Sequence, residues 1–154
     1  MNQDIASLTL SQPVTTIYAS PLIPNDDREI LIIGSPTHLL AYHVDNNADV
    51  FYKEIKEGVQ AIVVGLFGTI NTPLVLVGGN GEIQFILYLI IKRDYVINFL
   101  LIIGCIRGFN HEGNELFWLV TSGNIISLAL IDLNKDEKNE VSIRKKSLIF
   151  LNTR

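Results

Sequence analysis

Three pairs of short apolar stretches recur along this 154-residue chain at regular spacing. The pairs are Glu29–Gly34 with Pro73–Gly78, Asp49–Tyr52 with Glu115–Trp118, and Ala61–Val64 with Ser127–Leu130. The first pair is 44 residues apart and the other two are 66 apart, so the second copy carries about 22 additional residues between Gly78 and Glu115. When the segment 85–107 is left out, every pair is separated by 43 or 44 residues, which is the length of a four-stranded propeller blade.

Short β-rich runs separated by turn residues make up most of the chain. Clusters such as Pro24–Asp27, Asp45–Asn47 and Gly79–Gly81 supply the turns. Such runs predict a sandwich, a barrel or a propeller, and the repeat favours the propeller. We therefore expect an all-β fold, a fragment of a β-propeller with about two antiparallel four-stranded blades. The predicted strands are Ala6–Leu10, Val14–Ala19, Glu29–Gly34, Leu39–Val44, Val50–Glu54, Ala61–Phe67, Pro73–Gly78, Leu116–Thr121 and Ile125–Ile131.

The segment formed by residues 85–107 has a composition foreign to the rest of the chain. Most of its residues are Phe, Ile, Leu, Tyr, Lys or Asn, and none is Ala, Pro, Ser, Thr, Glu or Gln. Most of these residue types have AT-rich codons, which is typical of translated non-coding DNA. Codons for Gln84-Phe85 and for Arg107 can also supply GT and AG, the dinucleotides that begin and end an intron. We interpret the 85–107 segment as a retained intron, which we expect to lean on the blades or project from them, with Gln84 close to Gly108. The alternative is a native loop insertion.

A membrane helix is a further alternative for this segment, because residues 85–103 have the length of a membrane span. However, Lys92, Arg93 and Asp94 lie at its centre. Each central charge costs about 2.5–3.5 kcal/mol, which offsets the gain of about 0.3–0.6 kcal/mol from each apolar residue. The balance does not favour insertion, so no transmembrane segment is expected.

The C-terminal part and the overall composition set further limits. Val141-Ser142 can be encoded by a splice-donor sequence, and the strand expected after Glu140 is missing by comparison with Leu74–Gly78. We interpret residues 1–140 as the partial propeller and residues 141–154 as an aberrant tail. The net charge of −4 is spread along the chain without a basic patch, so nucleic acid is not an expected partner. A single Cys and the lack of an N-terminal signal peptide suit a reducing compartment.

Several stretches identify a relationship once the 85–107 segment is set aside. They are Leu39–Val44 with Asn46 and Asn47, Asp49–Lys53, Gly78–Asn80, and Gly108–Gly113 through Phe117 and Trp118. In these stretches the chain resembles the N-terminal β-propeller of the Bardet–Biedl syndrome 2 family, subunit 2 of the BBSome. The resemblance covers residues 1–84 and 108–140, with Gln84 followed directly by Gly108 in the family pattern. Residues 141–154 match nothing in it.

This resemblance implies a non-catalytic scaffold or adaptor in ciliary membrane-protein trafficking and ciliogenesis. The implied partners are other BBSome subunits and, indirectly, ciliary membrane-protein cargo. The implied locations are the cytoplasm, the cilium, the peripheral ciliary membrane and the ciliary basal body. No cofactor is implied.

One loop has the pattern of a weak calcium-binding site. Oxygen donors at Asp132, Asn134 and Asp136, followed by Glu140, match the spacing of short calcium loops. The family pattern has Gly at position 137, whereas Glu137 makes the required bend at a steric cost. An acidic β-turn in solvent is the simpler interpretation. The alternative function is therefore a calcium-dependent propeller binding module.

The remaining motifs do not indicate an enzyme. His38, His43 and His111 have no metal-ligand spacing, and the turn at Gly78–Gly81 lacks the Lys-Ser/Thr of a phosphate loop. No nucleophile motif is present, and Cys105 lies in the 85–107 segment. The adjacent Phe117 and Trp118 are expected to fill the space between blades.

Overall fold

The computed structural model describes the backbone of residues 7–85, 97–146 and 149–153, and the side chains of residues 7–80 and 104–146. Every regular element in these ranges is a β-strand, in agreement with the predicted all-β fold. The strands are β1 Thr16–Pro21, β2 Glu29–Gly34, β3 His38–His43, β4 Ala48–Glu54, β5 Ala61–Phe67, β6 Ile70–Phe85, β7 Ile97–Phe109, β8 Glu115–Ser122, β9 Asn124–Ile131, β10 Glu140–Lys146 and β11 Ile149–Thr153.

The first four strands form one antiparallel sheet in the order β1-β2-β3-β4, which we call the first blade. Strands β2 and β3 are apolar along most of their length because both faces are covered. The turns before β2 and β4 contain Asn25 and Asn47, each with a positive φ, a conformation that Asn tolerates better than most residues. The first predicted strand is not formed at residues 7–10.

The second blade repeats this arrangement with β5, β6, β7 and β8, again antiparallel. Strand β11 pairs with residues 97–101 of β7, beyond the part of β7 that pairs with β8. Strands β9 and β10 form a separate antiparallel pair. The expectation that no strand follows Glu140 is therefore wrong. Residues Glu140–Lys146 pair with β9 because Val141 and Ile143 supply two half-buried side chains to the core next to the second blade.

The repeat has a direct structural meaning. Glu29–Gly34 is the second strand of the first blade, and Pro73–Gly78 lies in the second strand of the second blade. At the end of each stretch, a glycine permits close approach of the next blade. A Cβ added at Gly34 would lie 2.6 Å from Cγ1 of Val59, and a Cβ at Gly78 would lie 2.5 Å from Cγ2 of Ile125. The predicted four-stranded blades are thus confirmed, as part of a propeller.

Two cores lie between successive blades. The first combines buried side chains from β2, β3 and β4 with others from β5 and β6: Ile30, Ile32, Leu39, Phe51, Ile62, Val64, Val75 and Val77. The second combines the opposite face of the second blade with β9: Ala61, Val63, Leu74, Leu76, Ile106, Ile125 and Leu128. The alternation of apolar residues along β5 and β6 divides their side chains between the two cores.

Part of the 85–107 segment belongs to the second blade. Residues 97–107 lie in β7, and Cys105 and Ile106 are buried at 3% and 1% exposure. Gln84 pairs with Leu100 and Gly108 pairs with Leu76, which places Gln84 and Gly108 about 26 Å apart at the rise of an extended strand. The expectation that these two residues are close is wrong. For residues 104–107, the expectation that the segment leans on the blades or projects from them is also wrong, because these residues form part of a blade strand. Residues 86–96 are outside the described ranges.

Among the described residues, no helix has the length and apolar character of a membrane span. The interpretation of the 85–107 segment as a retained intron concerns the transcript and stays a prediction.

Candidate interaction surface

Strand β8 presents exposed apolar side chains at the edge of the second blade, three on one face and one on the other. Within the described residues it pairs with β7 on one side only. Leu116, Trp118, Leu119 and Val120 are 47%, 54%, 53% and 43% exposed, and we call these four residues the β8 edge. An edge strand with four exposed apolar side chains is a typical place for another chain to pack or to add a strand.

The two aromatic residues of β8 have different environments. Phe117 packs against the core formed with β9 and lies 5.3 Å from Phe67, centroid to centroid. Trp118 points to the opposite face and is half exposed. The prediction that both fill the space between blades is therefore correct for Phe117 and wrong for Trp118. Adjacent residues of a strand face opposite sides, and the core with β9 covers Phe117 but leaves Leu119, on the same side, 53% exposed.

An ion-pair network lies beside Trp118. Nη2 of Arg107 donates to both carboxylate oxygens of Glu57, at 2.9 and 3.1 Å, and Nη1 donates to Oε2 of Glu115 at 2.7 Å. The guanidinium carbon lies 5.9 Å from the centre of the Trp118 ring, within the range of a cation–π contact. Glu57 precedes β5, so this network connects the link between the blades with the two last strands of the second blade.

The network affects the ionisation of its members. Burial raises the pKa of Glu57, but hydrogen bonds from Arg107 and from its own backbone, with the guanidinium charge, outweigh burial and give a pKa below the ordinary 4.5. Burial lowers the pKa of Arg107, whereas hydrogen bonds to Glu57 and Glu115 raise it, with a net increase. Both groups are therefore charged at neutral pH, and the site holds one cation between two carboxylates.

The first blade has a comparable aromatic residue on its outermost strand. Tyr52 of β4 is 54% exposed and stacks on His38, with ring centroids 4.8 Å apart. His38 belongs to a polar group in which Oε1 of Gln12 accepts hydrogen bonds from Ser35 Oγ at 2.9 Å and Thr37 Oγ1 at 2.8 Å. The repeat therefore positions Tyr52 and Trp118 at equivalent places, each against a polar group of the neighbouring strand.

The acidic loop forms a turn held by its own side chains. The carboxylate of Asp132 accepts hydrogen bonds from the backbone N–H groups of Asp136, at 3.2 Å, and Glu137, at 3.0 Å. Asn134 Oδ1 also accepts from the N–H of Asp136, and Glu140 Oε2 accepts from the N–H of Leu133. Glu137 has a φ of 66°, the bend for which the family pattern has Gly.

This geometry leaves the calcium hypothesis a prediction. The four candidate residues Asp132, Asn134, Asp136 and Glu140 lie in one loop, where backbone N–H groups use several of their oxygens. In the described part of the chain, no three His, Cys, Asp or Glu side chains are grouped as metal ligands.

The three histidines are in separate places. His43 is buried, with Nε2 4.0 Å from Oδ2 of Asp26, His38 lies in the Gln12 group, and His111 lies in the turn between β7 and β8. The hydrogen bond from Arg28, reinforced by its charge, lowers the pKa of Asp26 to about 2.

Cys105 is a free, buried thiol whose pKa is raised first of all by burial. A thiol with a raised pKa is a poor nucleophile at neutral pH.

Comparison with known proteins gives the relationship. Residues 1–65 match the family described as "Ciliary BBSome complex subunit 2, N-terminal". The chain is 39% identical over 142 residues to BBSome complex member BBS2 of Danio rerio, which covers 92% of this chain. The family resemblance is confirmed. The human protein BBS2 is 38% identical over 143 residues, and bbs-2 of Caenorhabditis elegans is 26% identical over 137 residues. The chain spans 16–17% of the length of these relatives.

Arg107 and Glu57 were missed by the sequence reasoning. Arg107 lies in the 85–107 segment, which was set aside as foreign, and a single Glu in a turn carries no signal of its own. The sequence predicts the alternation of side chains along β8, but not which of its faces is covered. One face has Glu115, Phe117 and Leu119, and the other has Leu116, Trp118 and Val120.

Proposed function

We propose that this chain is part of a non-catalytic scaffold or adaptor subunit of the BBSome that acts through protein–protein contacts. The observation that carries the proposal is the similarity to BBSome complex member BBS2 over 92% of the chain. The β8 edge supports it, because four exposed apolar side chains on an edge strand suit contact with another polypeptide.

A role in chemistry has less support than a role in contact. The strongest polar group, Arg107 with Glu57 and Glu115, satisfies its charges internally and leaves no free base or nucleophile. The buried thiol of Cys105 has a raised pKa, which disfavours the thiolate. A contact surface, by contrast, needs only shape, apolar area and a polar rim.

The proposed setting follows from the same relationship. The partners are other BBSome subunits and, through them, ciliary membrane-protein cargo, and nucleic acid is not a partner. The places of action are the cytoplasm, the ciliary basal body, the cilium and the peripheral face of the ciliary membrane. The role is in the trafficking of ciliary membrane proteins and in cilium assembly.

A chimaeric protein tests this role. In ciliated cells that lack BBS2, the matching segment of the Danio rerio relative is replaced by residues 1–140 of this chain without residues 85–107. We expect delivery of a ciliary membrane protein to be restored. A matched chimaera with Leu116→Asp and Trp118→Asp should accumulate but restore delivery poorly. If the unmodified chimaera accumulates and assembles with the other subunits but delivery stays absent, the proposed role is wrong.

A further inference from the structure

The hairpin between the second and third strands has a similar register in both blades. In the first blade the paired residues are Leu31 with Tyr42, Ile32 with Ala41, Ile33 with Leu40 and Gly34 with Leu39. In the second blade they are Val75 with Phe109, Leu76 with Gly108, Val77 with Arg107 and Gly78 with Ile106. Between equivalent positions of the two blades, the residue number increases by 44 in the second strand and by 67 in the third strand.

The difference between these two advances equals the length of the 85–107 segment. If the third strand followed the same spacing of 44 residues, Gly78 would pair with Ile83 and Val77 with Gln84. In the structure, Gly78 pairs with Ile106 and Val77 with Arg107. The residues at these places are alike in sequence. Gly81-Glu-Ile-Gln84 and Gly104-Cys-Ile-Arg107 share glycine and isoleucine at the same positions, and the offset between them is again the length of the 85–107 segment.

We infer that the second blade can be built without residues 85–107, with Glu82–Gln84 in the strand positions that Cys105–Arg107 occupy and Gly81 in the place of Gly104. In that shorter form β6 ends at Gly79, and Asn80 and Gly81 make a two-residue hairpin turn. Asn-Gly is the most favourable pair for such a turn, since both central residues need a positive φ. Gln84 then continues directly into Gly108, and the rest of the blade is unchanged.

Two of the four positions fit their replacement residues closely. Ile106 is 1% exposed in the core with β9, and Ile83 preserves its size and shape. A Cβ at Gly104 would lie 2.6 Å from the carbonyl oxygen of Gly123, so the position needs glycine, which Gly81 supplies. Glu82 replaces Cys105 next to the turn; Cys105 is 3% exposed, so this position exchanges a buried thiol for a carboxylate.

Two of the four replacements change the charge, because Glu82 adds a carboxylate at the position of Cys105 and Gln84 removes the cation of Arg107. Arg107 donates to Glu57 and Glu115, and Gln84 in its place keeps an amide donor but no cation. The shorter form therefore leaves Glu57 and Glu115 beside a neutral amide, with Glu82 as a further carboxylate near Glu57. We expect salt to stabilise the shorter form, whereas it weakens the ion pairs of the 154-residue chain.

Deletion variants of the whole chain test the register. One variant lacks residues 85–107, and a second lacks residues 84–106, which keeps Ile83 and joins it to Arg107; we call these two the in-register deletions. The control lacks residues 85–106, one residue fewer. In the control, Gln84 takes the buried position of Ile106, because one extra residue turns the neighbouring side chains to the opposite face. Hydrogen exchange of the Val75–Gly78 amides is measured by mass spectrometry for all variants and for the 154-residue chain.

We expect both in-register deletions to keep protection factors within about 10-fold of the whole chain, and the control to lose at least about 100-fold. Equal protection in the control and in the 85–107 deletion would overturn the inference, as would loss of protection in both in-register deletions. Absence of protection in the whole chain would also overturn it, because the observed register is its starting point.

Discussion

The contact between Gly78 and Ile125 offers the sharpest test of how the blades are joined. A Cβ added at Gly78 would lie 2.5 Å from Cγ2 and 3.1 Å from Cβ of Ile125, whose side chain is completely buried. We expect Gly78→Ala to reduce the free energy of unfolding by about 1–3 kcal/mol, because a methyl group is forced into a filled space. Ile125→Ala should cost about 2–5 kcal/mol through the cavity it leaves.

The double variant separates this contact from general damage. In Gly78→Ala/Ile125→Ala, the added methyl group enters the space left by the isoleucine, so the combined cost should be at least about 1 kcal/mol smaller than the sum of the two single costs. Gly65→Ala is the matched control, since its added Cβ would approach only the flexible end of Leu130. Urea unfolding measures all four variants. Additivity within about 0.5 kcal/mol would refute close packing of Ile125 on Gly78.

The remaining predictions concern the polar groups. Arg107→Met should lower the free energy of unfolding by about 1–2 kcal/mol at low salt and by less at high salt, measured by urea unfolding. The pKa of Glu57 is below 4.5 in the folded chain, so its stabilisation is present above pH 4.5 and is lost as the pH falls through the lower folded value. Acid titration of unfolding should therefore show a smaller loss in Arg107→Met than in the parent chain, and an equal loss would contradict the network. Asp132→Ala should cost about 1 kcal/mol without calcium, because the backbone N–H of Glu137 loses its acceptor and that of Asp136 keeps only Asn134. If calcium raises the melting temperature of the parent chain but not of this variant, the loop is a calcium site rather than a turn alone.

The fold was largely predictable because the repeat reflects packing. Gly34 and Gly78 end the two repeated stretches, where the next blade approaches, and this requirement keeps the spacing near 44 residues. Apolar runs such as Glu29–Gly34 are buried on both faces, so they are recognisable without knowledge of their partners. Residues 7–10 were wrongly predicted as a strand, since a short apolar stretch does not reveal whether a neighbour is there to pair with.

The polar network and the exposed edge were less accessible to sequence reasoning. Arg107 and Glu57 are 50 residues apart and meet only because the link after β4 returns past β7. Trp118 looks like a core residue by type, and its 54% exposure depends on which strands cover its face. Strand β10 was missed because Glu140–Lys146 does not resemble Leu74–Gly78, although Val141 and Ile143 still pack against the core.

Association with BBSome subunits tests the central claim most directly. The 154-residue chain is mixed with purified BBSome subunits that lack BBS2, and co-elution is followed by size-exclusion chromatography and titration. We expect a complex, with Leu116→Ser/Trp118→Ala weakening its affinity at least about 30-fold, as loss of a central contact does. Leu133→Ser, at an apolar residue that is 66% exposed in the acidic loop, should leave the affinity unchanged. Absence of any complex, or equal weakening by both variants, would contradict a contact function of the β8 edge.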